Sequence, residues 1–125
     1  MNTEIEVTID KILSIASDFN NLGNVSWNTL LTQSGYFEHY KEINEEKLVS
    51  ALEKTPDLIN EWLRLSDDSR SSEKWMLWIG ESGRYHVSHW PEGAEFPEFH
   101  PETKFEACAH FIVKKIEWSR IDLTS

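Results

Sequence analysis

What most constrains this chain is a change in its hydrophobic period. Up to Leu65 the apolar residues recur every three or four positions, from Trp75 they alternate in two short runs, and from Thr103 the longer period returns. A period near 3.6 is that of a helix with one buried face, and a period of two is that of a strand. The two runs, Trp75-Met76-Leu77-Trp78-Ile79 and Tyr85-His86-Val87-Ser88-His89-Trp90, flank Gly80-Glu81-Ser82-Gly83. Glycine supplies the backbone freedom of a hairpin turn, so an antiparallel β-hairpin is expected. Alternation sets Trp75, Leu77 and Ile79 on one face and Met76 and Trp78 on the other, so both faces are apolar. One face is expected to carry helices and the other an aromatic cluster or a partner. Two strands alone are marginal in water, so the hairpin needs that helical layer.

The helical stretches have readable ends. Ile5, Ile9, Ile12, Leu13, Ala16 and Phe19 predict a helix over about residues 4 to 20. Thr3 and Glu6 match a capping box, and Asn20-Asn21-Leu22-Gly23 offers a stop. Ser26 can cap a short second helix with Trp27, Leu30 and Leu31 facing inward, and Tyr36-Phe37 continue the apolar material after Gly35. Asn44 precedes a third helix marked by Leu48, Val49 and Leu52. Pro56 can open a fourth, carrying Leu58, Ile59, Trp62, Leu63 and Leu65. Asp67-Asp68-Ser69-Arg70-Ser71-Ser72 reads as a short polar loop. Thr103 with Glu106 repeats the capping pattern ahead of Phe105, Cys108, Ala109, Ile112 and Ile116. The expected fold is α+β: N-terminal helices, an antiparallel hairpin and a C-terminal helix in one domain over residues 1–125.

Composition narrows the partners. Twelve Lys and Arg against 22 Asp and Glu give a net charge of -10, which repels phosphate backbones and anionic headgroups and attracts basic proteins. Direct nucleic-acid binding is not expected. The N-terminus shows no export signal, no apolar run is long enough to span a bilayer, and the lone Cys108 cannot close an internal disulfide. A cytoplasmic location without membrane attachment is the expectation.

No catalytic constellation emerges. Sequence patterns for a nucleophile elbow, a phosphate loop, a dinucleotide turn or a zinc-protease helix do not occur. His86 and His89 are three apart on a strand and so point to opposite faces, which disfavours a shared metal, and His100 and His110 add no ligand-spaced cysteines or carboxylates. Cys108 lies in an apolar helix, where burial would weaken it as a nucleophile. Glu45-Glu46 and Asp67-Asp68 stand in polar surroundings that favour solvated carboxylates over a tuned acid-base pair. Neither enzyme activity, nor a cofactor, nor a metal site is expected.

The segment Trp90-Pro91-Glu92-Gly93-Ala94-Glu95-Phe96-Pro97-Glu98-Phe99-His100-Pro101-Glu102 carries four glutamates and three large aromatics without Lys or Arg. Aromatic anchors ringed by carboxylates suit a basic cleft, the rings supplying contact area and the charges steering. Trp90, Glu92, Glu95, Phe96, Glu98 and Glu102, with Asp67 and Asp68, are the candidate partner-binding residues. The alternative role for Trp90, Phe96 and Phe99 is to fold back onto the core while the glutamates confer solubility.

Lys74-Trp75-Met76-Leu77-Trp78-Ile79, Gly83-Arg84-Tyr85-His86-Val87 and Phe105-Glu106-Ala107-Cys108-Ala109-His110-Phe111-Ile112 together resemble the C-terminal halves of bacterial toxin-immunity proteins, including those of contact-dependent growth inhibition. The resemblance covers roughly the last fifty residues. It implies a small acidic cytosolic protein that neutralises a cognate toxin domain, often a nuclease with a basic cleft, by covering its active site or substrate-binding surface. An acidic adaptor or regulatory domain that binds some other protein is the alternative.

Overall fold

The computed structural model describes residues 3–22, 25–67, 75–89, 101 and 103–124. The N-terminal period becomes helix α1, Thr3–Leu22, with Ile5, Ile9, Ile12, Leu13, Ile15, Ala16 and Phe19 buried along it. Ser26 is extended, and its Oγ accepts the Thr29 N–H at 3.1 Å, starting α2, Trp27–Gln33. Gly35, at φ +89°, then reverses the chain within 3.2 Å of Thr8 Oγ1 from where a Cβ would stand. The left-handed conformation and the tight space both favour glycine here. Tyr36–His39 form a one-turn helix, α3, continued by a 3-10 turn over Tyr40–Glu42, where sequence reading had only apolar material.

Asn44 Oδ1 accepts the Lys47 N–H at 2.9 Å and caps α4, Glu45–Lys54. Helix α5 is Leu58–Asp67, two residues later in starting than Pro56, because the carbonyls of Thr55, Pro56 and Asp57 each bond three residues ahead in a tight entry turn. It also runs through Asp67, which the polar composition of that stretch had assigned to the loop. Strand β1, Trp75–Ile79, pairs antiparallel with β2, Tyr85–His89, in the register Trp78 opposite His86 and Leu77 opposite Val87. Helix α6, Lys104–Thr124, begins where Thr103 Oγ1 accepts the Glu106 N–H at 3.1 Å.

The described part is thus α+β, six helices and a two-stranded hairpin. Helices α5 and α6 pack against the hairpin, and α1 lies against α2, α4 and α5. Trp62 of α5 sits at the centre of the core, with no solvent exposure. Its edges meet Trp27 and Phe111 at 6.1 and 6.2 Å in T-shaped contacts, and its Nε1 donates to the Leu13 carbonyl at 3.2 Å. Burying an indole is favourable only when its N–H finds such an acceptor. Cations seal the flank of the core: Lys115 Nζ lies 4.9 Å above the Trp27 ring and the Arg120 guanidinium 4.3 Å above Tyr40. Among the described residues no helix is long and apolar enough to cross a membrane.

Candidate docking face on the hairpin

The register decides which side chains the hairpin shows. Leu77, on the face toward the helices, is buried, and Tyr85 and Val87 on the same face are partly buried. Met76 and Trp78, on the other face, keep 41% and 43% of their surface exposed. Trp78 stacks on His86 across the ladder, with ring centroids 4.3 Å apart and planes 22° from parallel. Gly80 permits this stack: a Cβ there would stand 2.8 Å from His86 Nε2 and 3.6 Å from the Trp78 ring. The two rings are therefore wedged against the turn backbone, which limits the rotamer freedom that an incoming partner would have to remove. At the strand end Ile79 is 48% exposed.

The same hairpin has two unlike edges. Gly80 N–H donates to the Arg84 carbonyl at 2.8 Å, making these residues a closely bonded pair. Such pairs alternate with open ones along an antiparallel ladder, so Trp78 with His86 and Met76 with Ser88 are bonded in turn. Leu77 therefore points its main chain away from β2, and its N–H donates to Ser66 Oγ of α5 at 2.8 Å. Helix α5 thus meets that edge at the Leu77 N–H.

Of the residues that sequence reading selected, Trp90, Glu92, Glu95, Phe96, Glu98, Glu102 and Asp68 lie outside the described residues. Asp67 ends α5, and its side chain also lies outside them. The second apolar hairpin face was expected from alternation alone. The role of His86 as the platform beneath Trp78 was missed, because counting outward from a four-residue turn over Gly80 to Gly83 sets Tyr85 opposite Trp78, whereas the connection runs on through Arg84 and brings His86 there.

The other singled-out side chains have structural surroundings. Cys108 is fully buried, and burial pushes its thiol far above the ordinary range, which opposes thiolate chemistry. His110 Nδ1 lies 2.5 Å from Glu45 Oε1, a contact between α6 and the first turn of α4 that nothing in a 65-residue separation announces. Among the described residues no three His, Cys, Asp or Glu side chains are grouped so as to hold a metal. A groove of about 710 Å³ between α1 and α4 is lined by Glu6, Asp10, Glu42 and Glu46 together with Lys47 and Lys54. Four carboxylates against two ammonium groups leave the groove acidic on balance, and Lys47 Nζ donates to the Glu42 carbonyl at 2.8 Å.

No family model, curated protein or solved structure matches this chain.

Proposed function

We propose that this protein is an immunity protein, which binds a cognate bacterial toxin domain in the cytoplasm and neutralises it by covering its active site or substrate-binding surface. The observation that carries this reading is the exposed Met76–Trp78 face with its His86 backing, an aromatic anchor on a domain whose other tryptophans with described side chains are buried or half-buried. Rigid, exposed tryptophans are the residues on which protein interfaces concentrate their binding energy. A net charge of -10 supplies the second support, because it steers the domain toward a basic surface. A nuclease, whose cleft is built to hold phosphates, is the toxin class this charge complements.

The segments that resemble immunity proteins become β1, the return of the turn into β2, and the first half of α6, and these three pack on one another. The resemblance therefore falls on one structural unit, the one that presents Trp78. Inhibition in this reading is steric and electrostatic, and no residue of this chain undergoes chemistry.

Affinity capture from the native cell, followed by co-expression with each toxin-like protein recovered, tests the reading. Rescue of growth by the full chain, and its loss in Trp78→Ala at unchanged melting temperature, is the expected result. A stable complex whose partner is not toxic would replace immunity by an adaptor role.

A further inference from the structure

The outer edge of β2 differs from that of β1. By the alternation set at Gly80 and Arg84, Tyr85 and Val87 direct their N–H and C=O groups away from β1. Among the described residues nothing bonds to those outward groups, whereas the matching edge of β1 is met by Ser66. Natural sheets usually blunt an open edge with proline, a bulge or an inward-pointing charge. Tyr85-His86-Val87 carries none of these: it is regular strand, with His86 stacked flat on Trp78. Outward main-chain donors and acceptors without a partner among the described residues are the template that strand addition requires.

We infer that an extended, cationic segment of the partner protein docks as a third strand on the outer edge of β2. This inference rests on the reading of the chain as a protein-binding domain and specifies how the partner is held. On an added strand, side chains alternate between the two faces. Those facing α6 lie beside Tyr85 and Val87, both partly buried, so apolar residues fit there. Those facing outward lie beside His86, whose ring is stacked on Trp78 on its β1 side, so long polar side chains fit there. Charge selects this occupant over a second copy of the chain. Two copies would bring together -10 and -10, whereas a cationic segment is drawn to a domain of net charge -10.

The test uses the full chain, isotope-labelled, with acetyl-Lys-Val-Lys-Val-Lys-Val-Lys-amide as probe. Two controls accompany it: the same peptide with Glu for Lys, and one N-methylated on alternate residues along one edge. At low salt the Lys peptide should shift the Tyr85 and Val87 amides and slow their exchange about tenfold, and each control should bind about tenfold more weakly or worse. Failure of the Lys peptide to bind, equal binding of the N-methylated form, or protection confined to the groove between α1 and α4 would each overturn strand addition. Val87→Pro removes an outward N–H without touching a bond to β1 and should abolish peptide binding in a folded protein. Should that variant not fold, the N-methylated peptide still decides. A dimer in sedimentation that Val87→Pro dissolves would overturn the choice of occupant. Function is scored apart: growth rescue that survives folded Val87→Pro refutes the docking mode alone, and peptide docking without any toxin rescued refutes immunity alone.

Discussion

Leu77 and Trp78 are neighbours in β1, yet the pleat gives them opposite duties. Leu77 is sealed between the sheet and the helices, so Leu77→Ala should cost about 2–5 kcal/mol of stability, measured by denaturant unfolding. Trp78→Ala should lower stability by no more than about 1 kcal/mol and should speed dissociation of the bound partner instead, by about 2 kcal/mol in affinity. Surface plasmon resonance and a melting curve on the same two variants separate these effects. Cys108 belongs with Leu77. Cys108→Ser should cost about 1–3 kcal/mol by burying a hydroxyl, and binding should be retained.

The buried thiol also predicts a dependence on pH. Burial raises Cys108, and it raises Tyr36 more than the nearby Arg120 lowers it. Both groups then hold their protons longer in the fold than in the unfolded chain. Stability is full below the ordinary thiol value of 9.0 and falls as the pH climbs past it, since the unfolded chain ionises first. The melting temperature should drop between about pH 8 and about pH 10.5, and Cys108→Ala should drop less. An equal fall in both proteins would remove the thiol from the explanation.

At the scale of elements, one hydroxyl ties helix to sheet. Ser66 Oγ takes the Leu77 N–H, so Ser66→Ala leaves a part-buried amide without its acceptor and should cost about 1–3 kcal/mol, most visibly as faster amide exchange at Leu77. The sequence disclosed the elements because their signals are local. Ser26, Asn44 and Thr103 were recognisable as caps, and each accepts the expected backbone N–H. The hairpin was legible from Gly80 and Gly83 between two alternating runs. What stayed hidden depends on distant neighbours. Ser66 looked like any polar residue near a helix end, and His110 gave no sign of Glu45. The exposed Met76 and Trp78 were placed on one face by alternation, but only the packing of α5 and α6 shows which face is covered.

For the whole molecule, charge governs how quickly a partner arrives and packing governs how long it stays. Reversing Glu92, Glu95 and Glu98 to Lys moves the net charge from -10 to -4, since three reversals add six. Association with a basic partner should slow at low salt and differ little at high salt, in a variant whose circular dichroism and melting temperature match the parent. Unchanged association at low salt would transfer the steering role to the acidic groove between α1 and α4.

The bond between Ser66 and Leu77 has one more consequence, for crowded solutions. A hairpin sticky on both sides can recruit copies without limit, each new molecule offering the next a fresh template, which is how fibres grow. With Ser66 of α5 bonded to the Leu77 N–H and α5 packed against β1, a strand arriving at that edge would have to displace the helix. Two molecules that met through β2 would each then present the edge that α5 guards, which opposes further extension. The helix therefore works against polymerisation through the β1 side of the hairpin.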